Sequence, residues 1–580
     1  MSDQDLNPQS ILIRPLSKGM ATNLPTQMIP AGGGLLVRNF DVATIGLRTV
    51  SGWGPFVGLN SVNNYGRIAL DADEYVTDII PFQTSNARQL IALTTKRLFV
   101  STDGVSWTEV VKVDLSTLHF APGRPALVQW ARSPYYLFFV DGTSATGLVV
   151  YDGVNVRREP CVDSSDVVVF EGATTIHFAG SRLIVGAPGE SGGERRVRWS
   201  SPLNPFEFSP LDYADLIGTS GSVQRITSYE EFPIIFVDDG VYFGQPYGYD
   251  AIGAAAWIIR PLETGGNSIL GPRAYCRVTG GVIFAGRDGF FFINSLKRTE
   301  KGDFTVDDMK CPILTQTIRN QAFAGFLANT MLVFDTAHKR LLIGFSSGAA
   351  PYGVDTYAAL HQETTAWSLL DVPVGTVTAL QDIYTTTSTR WADYPTSGDY
   401  TTWEDYLASP NRSWHGELGG FGASTMIAVN EDGGIYSLSK ARGVTEVIRS
   451  TFDGTDYATL TTVFETGDID FDYADNNKVA FKLAARIGDT EYQRDPTARI
   501  VMIVDGSTTR GRTWKQLGRV YIDGDEDEEE VHFRLFGTNM RFRITFFTDS
   551  PTFVPVVLEE LTIRLRGGSP QTVRGATNAD

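Results

Sequence analysis

The sequence predicts an all-β protein: an irregular β-propeller of about six or seven blades, with an extended N-terminal arm and a C-terminal β-sandwich. Three observations predict it. Short apolar runs flank turn signals repeatedly through the first three quarters of the chain. Glycine is abundant at 58 residues, aromatics reach 11% and charged residues only 20%, a balance that suits turn-dense β structure better than helix. From about residue 444 the runs give way to alternation of apolar and polar residues, the mark of sheets with one wet face.

The clearest unit is GGVIFAGRDGFFFIN, Gly280 to Asn294. Two apolar runs flank Asp288-Gly289, which predicts a hairpin whose turn uses the φ > 0 that Asp and Gly tolerate. Runs this continuous predict strands covered on both faces. The unit recurs at Gln89 to Gly104, Tyr135 to Gly153, Pro233 to Gly244 and Ser424 to Leu438, with a variant at Asn329 to Ser346. One hairpin cannot bury both of its faces, whereas a series stacked radially can. The hairpins fall into seven groups: 74–114, 125–158, 174–213, 223–260, 273–298, 322–370 and 377–439. Their spacing of roughly 40 to 50 residues matches a four-stranded propeller blade. A set of β-sandwiches is the competing architecture.

We divide the chain into an arm (1–55), a propeller (56–443), a sandwich (444–566) and a polar, glycine-rich tail (567–580) whose composition predicts disorder. The arm has spaced Pro and Gly and two expected strands, Gly34 to Asp41 and Leu47 to Ser51. It must be tied down by a sheet edge or a neighbouring subunit. Met28, Ile29, Leu35, Leu36 and Val37 are its candidate docking residues; each would supply roughly 1.5 to 3 kcal/mol on burial. One helix is predicted within DDMKCPILTQTIRNQAFAG, with Asp307 or Asp308 as N-cap and Met309, Ile313, Leu314 and Ile318 near one face. In the sandwich, Phe481, Leu483 and Ala485 alternate with Lys482, Ala484 and Arg486, and Phe542, Ile544 and Phe546 alternate with Arg543 and Thr545.

Residues 382–415 interrupt the propeller pattern. WADYPTSGDYTTWEDY repeats a W-x-D-Y unit and is poor in aliphatics. Trp391, Tyr394, Trp403 and Tyr406 are therefore the candidate interaction surface, since Trp and Tyr concentrate at binding hot spots and too few Leu, Ile or Val are present to bury them.

Composition excludes several function classes. The net charge of -18 argues against unaided wrapping of DNA or an anionic membrane. The polar N-terminus carries no signal core and no apolar stretch approaches ~18 residues, so neither classical export nor a membrane span is expected. Cys161, Cys276 and Cys311 are far apart and are expected as free thiols. GESGG (Gly189 to Gly193) matches G-x-S-x-G, but no helix follows Ser191, so no nucleophile elbow is expected. His119, His177, His338, His361, His415 and His532 show no metal or triad spacing. The acidic run Asp523 to Glu530 lacks the Gly and Glu positions of a calcium loop. VSTDGVSW (Val100 to Trp107) resembles the Asp-box of sialidase-like propellers, one residue shorter, and its Asp103 is expected to cap a turn. No catalytic, metal or cofactor site is expected.

Several stretches resemble the tail nozzle proteins of short-tailed phages, also called packaged-DNA stabilisation proteins. They are KGMATNLPTQMIPAGGGLLVRNFDVATIGLRTVSG, RLIVGAPGESGGERRVRWSSPLNPFEF, ETGGNSILGPRAYCRVTGGVIFAGRDGFFFI with the ILTQTIRN that follows, and RTWKQLGRVYI with MRFRITFFTDSPTFVPVVLEELTIRL. The 382–415 insert and the acidic 523–530 turn have no counterpart in that resemblance. It implies a homohexameric ring or tube in the virion tail, below the portal and adaptor rings. Such a tube retains packaged DNA, serves as its exit channel without sequence-specific binding, and carries fibres or spikes. It also implies synthesis in the host cytoplasm and no enzymatic activity. An acidic wall suits a DNA channel, because the duplex carries one charge per ~1.7 Å and would stick to a basic one. Two alternatives are a receptor-binding fibre or spike, which would use the aromatic insert on sugar, and a carbohydrate-active propeller enzyme, which would need carboxylates and arginines clustered at the blade tops.

Overall fold

The computed structural model describes residues 9–14, 16–20, 29, 33–56, 66–83, 88–111, 120, 127–142, 148–202, 204–249, 255–298, 303–309, 324–346, 353–371, 376–385, 423–438, 444–447, 456–469, 478–488, 500–522, 528–548 and 556–567. Seven four-stranded antiparallel units succeed one another along these residues. Blade one spans 76–109, two 129–159, three 175–215, four 223–262, five 275–308, six 331–370 and seven 377–438. They correspond to the seven hairpin groups of the sequence. Blade five gains its fourth strand, Phe304–Asp308, from just beyond its group.

Among the described residues, blade seven supplies three strands of its own. Its fourth is Trp53–Pro55 from the arm, paired so that Leu438 faces Trp53 and Tyr436 faces Pro55. The innermost strands of blades seven and one, Val377–Thr385 and Val76–Gln83, lie side by side. Ile79 and Phe99 of blade one share a core with Ile383, Ile427 and Val429 of blade seven. The ring of blades is thereby closed.

Several cores of the ring lie between two blades, while another joins blades four, five and six to the sandwich. In Leu137–Val140, Leu137 and Phe139 pack toward blade one, while Phe138 and Val140 pack toward blade three. In Arg182–Gly186, Leu183 and Val185 face blade two and Ile184 faces blade four. A strand buried on both sides needs apolar residues at successive positions, which is why these runs do not alternate.

The turn of the Gly280 to Asn294 hairpin differs from expectation. It is a four-residue loop in which the Gly286 N–H donates to the Gly289 carbonyl at 2.8 Å. Positive φ falls instead in the preceding turn, at Gly280 and Gly281. A Cβ on Gly281 would lie 1.9 Å from the Ile293 carbonyl oxygen, so that approach of the two strands requires glycine. Asp307 and Asp308 end a strand, so neither caps a helix there. Residues 310–323, which carry Ile313, Leu314 and Ile318, lie outside the described residues; 324–329 form a 3-10 helix.

The C-terminal part is a two-sheet sandwich. One sheet holds Lys478–Gly488, Glu528–Gly537 and Val557–Gly567; the other holds Thr462–Glu465, Ile500–Ser507, Lys515–Ile522 and Arg541–Thr548. Leu483, Ala485, Leu561 and Ile563 of one pack in a common core with Phe542, Ile544 and Phe546 of the other. The alternation in Arg541–Thr548 is as expected. In Lys478–Gly488 it is not. The register shifts between Ala480 and Lys482, and this bulge leaves Phe481 half-buried beneath the Arg566 guanidinium while Lys482 is buried. One extra residue re-phases the strand.

The arm is woven into both sheets. Gln9–Ile13 pairs with Val557–Gly567, and the hairpin Phe40–Val42/Leu47–Thr49 joins the same strand. Leu36–Arg38 lies between Thr462–Glu465 and Trp367–Leu370, the last strand of blade six. Blade six and one sandwich sheet thus form a single nine-stranded sheet. The expected Gly34 to Asp41 strand is broken at Asn39, which takes φ 59°. Asn39 is fully buried, and its amide donates to Asp371 Oδ2 at 2.8 Å and to the Thr461 carbonyl at 2.7 Å.

Candidate functional site

The insert begins and ends at one place. The expected insert 382–415 starts later than its sequence suggests: 382–385 belong to the innermost strand of blade seven, which pairs Thr385 with Ala423, so residues 386–422 join two adjacent strand ends at one rim beside the axis. Trp391, Tyr394, Trp403 and Tyr406 lie outside the described residues, as does Met28. Of the other arm candidates, Val37 is fully buried, and Ile29, Leu35 and Leu36 are half-buried. The Leu35 N–H donates to the Glu465 carbonyl, and Leu36 packs against the sandwich core. This part of the arm lies on sheet edges of its own chain, where it supplies the strand that two sheets share.

Local motifs behave as their chemistry dictates. Asp103 Oδ1 accepts from the Ser101 hydroxyl and from the Val105 and Ser106 N–H groups at 2.8 to 2.9 Å. Those bonds outweigh burial and hold its pKa down to about 2. Ser191 is exposed in a turn followed by a three-residue 3-10 helix and a strand, which is not a nucleophile elbow. His177 Nε2 meets Ser228 Oγ at 2.8 Å, and His338 Nδ1 meets Asp335 Oδ2 at 2.8 Å. His532 lies 3.4 Å from Glu530, which also pairs with Lys482. Among the described residues, no group of three or more His, Cys, Asp and Glu is placed to hold a metal. Cys161 and Cys276 are free thiols; burial pushes Cys276 up to about 12 and Cys161 higher still. His119, His415, Cys311 and residues 523–527 lie outside the described residues.

Sequence spacing gave no hint of an ionic seam between arm and propeller. Arg340 of blade six is fully buried; its Nε donates to Asp335 Oδ2 at 2.9 Å and its Nη1 donates to Asp41 of the arm. Burial opposes both carboxylates, yet Asp335 is held down to about 2, by His338 and Arg340, and Asp41 is held below the usual range by Arg340. His361 Nε2 meets Ser368 Oγ at 2.9 Å, and Nδ1 lies 3.9 Å from Asp41. Burial pushes His361 down to about 4 against the pull of Asp41.

A second polar centre lies on the propeller axis. The innermost strands surround a cavity of about 360 Å³. Its wall includes Asp78 and Asp382, and Arg225, Arg273 and Arg277. Arg225 Nε donates to the Tyr275 hydroxyl at 3.1 Å, and Nη1 donates to Gln129 Oε1 at 3.0 Å. The Gln129 amide is itself fixed, donating to the Gln224 carbonyl at 2.8 Å. Asp78 accepts from the Trp130 indole; burial raises its pKa in spite of Arg273 and Arg225. The sequence carried no signal for this cavity, because its residues come from different blades.

No family model matches the chain, and no curated protein matches it in sequence. Among solved structures, the extracellular domain of a hybrid two-component system from B. thetaiotaomicron aligns with 68% of this chain and 42% of its own, at 12% identity and TM-score 0.34. The exo-beta-1,3-galactanase of Phanerochaete chrysosporium, solved with galactose, aligns with 78% of this chain and 98% of its own, at 11% identity and TM-score 0.26. At such scores neither likeness bears on what this chain does.

Proposed function

We propose that this chain is a structural protein of a phage tail: a nozzle subunit, six copies of which form a ring below the portal and adaptor. In that position it retains packaged DNA, lets it leave on infection, and offers attachment points for fibres or spikes. The observation that carries the reading is the weave of the N-terminal arm. One segment closes blade seven, bridges blade six to the sandwich and adds strands to the sandwich's other sheet. That construction resists being pulled apart, as a part under internal genome pressure must. The -18 charge suits a wall past which a polyanion slides. The insert rooted at one rim beside the axis offers a place for a partner, consistent with its Trp- and Tyr-rich sequence.

The reading is tested in the phage that encodes the chain. Particles made without it should package DNA and then lose it, and supplying the chain should restore retention. Particles that keep their DNA and infect normally without it would contradict the proposal.

A further inference from the structure

We propose that the axial cavity of the propeller binds an acidic sugar unit, its carboxylate held by Arg225 and Arg277 and its hydroxyls by Asp78 and Asp382. The inference does not rest on the nozzle reading; it follows from how charge is arranged on the propeller axis.

The first observation concerns the arginines. Several buried guanidiniums elsewhere in the chain meet carboxylates: Arg340 with Asp335 and Asp41, Arg198 with Glu190, Arg541 with Asp468. A charge removed from water needs such a partner. Arg225, half-buried, is different. Its two bonds in the cavity wall go to neutral oxygens, the Tyr275 hydroxyl and the Gln129 amide. Neither Arg225 nor exposed Arg277 has a salt-bridge partner among the described residues. Neutral acceptors fix the orientation of Arg225; Asp78 feels its charge across the cavity but forms no salt bridge with it among the described residues, so the guanidinium can take a carboxylate from the cavity. A planar guanidinium held in this way is suited to a planar carboxylate.

The second observation separates a sugar acid from a bare anion. Asp78 and Asp382 share the cavity wall with the arginines. Carboxylates repel a compact anion such as phosphate, but they accept hydrogen bonds from hydroxyls. A ligand with one acid group and several hydroxyls satisfies both kinds of wall residue. Trp130 and Tyr275 add apolar ring surface for its C–H face. The volume of about 360 Å³ falls within the ~300–1,000 Å³ typical of small-ligand sites, far more than one phosphate needs. In a chain of net charge -18, three arginines against two aspartates on one cavity wall form a local exception.

The test is a titration of the full-length chain, by calorimetry or saturation-transfer NMR, with glucuronic acid, N-acetylneuraminic acid, glucose and inorganic phosphate. At least one acidic sugar should bind saturably, at least tenfold more tightly than glucose or phosphate. Arg225→Gln should weaken it at least tenfold. Arg277→Gln, at an exposed position, should weaken it at least threefold with an unchanged melting temperature, and so decides the matter if the Arg225 variant fails to fold. No saturable binding of either acid, equal binding of glucose, equal or tighter binding of phosphate, or an Arg277→Gln protein that binds like the wild type would each overturn the proposal.

Discussion

His361 illustrates how a single residue can set the acid limit of the fold. It is buried at the arm–propeller seam, facing Asp41, Arg340, His338 and Asp335, with Ser368 on its Nε2. Its folded pKa is about 4, against 6.5 for the free group. Between those values the unfolded chain takes up a proton that the folded chain refuses. Stability is therefore full above pH 6.5 and falls as pH drops toward 4, by about 3 kcal/mol for a shift of this size. Asp335, held down to about 2, and Asp41, also depressed, act lower: their contribution is present above about pH 4 and is lost as pH falls through their folded pKa values. Urea unfolding at pH 7 and pH 4.5 should show the midpoint dropping in the wild type and dropping much less in His361→Gln. Equal drops in the two proteins would remove His361 from the explanation. At this scale the sequence was legible only where partners are close along the chain. Asp103 could be read because it bonds to residues within three positions. The Arg340–Asp41 pair could not, because 299 positions separate its members.

Among elements, hairpins were the most legible, because both strands and the turn lie in one stretch and apolar runs mark burial on both faces. The arm was the least legible. Leu36–Arg38 and Phe40–Val42 are three-residue strands, too short to show a period; the partners of Leu36–Arg38 lie hundreds of residues away, and the hairpin that holds Phe40–Val42 is itself docked on a strand more than 500 positions on. The bulge at Phe481 was missed for a related reason: a re-phased strand still looks alternating when read from either end. Of the two supports open to the arm, a sheet edge and a neighbouring subunit, the weave supplies the first, and it changes what truncation should do. Deleting residues 1–40 removes Gln9–Ile13 from one sandwich sheet and Leu36–Arg38 from the seam of the other. It also takes away Leu16, Met20, Val37 and Phe40, all buried in the shared core, each worth roughly 1.5–3 kcal/mol. Limited proteolysis of the truncated protein should cut first within the sandwich, between 456 and 567, while the blades resist. A truncated protein as protease-resistant as the full chain would show that the weave is dispensable.

The whole molecule is a closed ring of blades fused sideways to a sandwich, with the join made by a strand from the opposite end of the sequence. The seven-unit rhythm was legible in the sequence because it repeats over many residues. The axial cavity was not, since no stretch of sequence contains it; the rim at which the insert is rooted emerged only with the strand pairing. The proposed nozzle function would be a property of many copies together, so it is best measured on the assembled particle. Cryo-electron microscopy of purified virions should show six copies of this 63.6 kDa chain in a ring below the portal, enclosing a passage for the duplex. Three copies in a peripheral fibre, or no copies in the tail at all, would contradict the nozzle assignment.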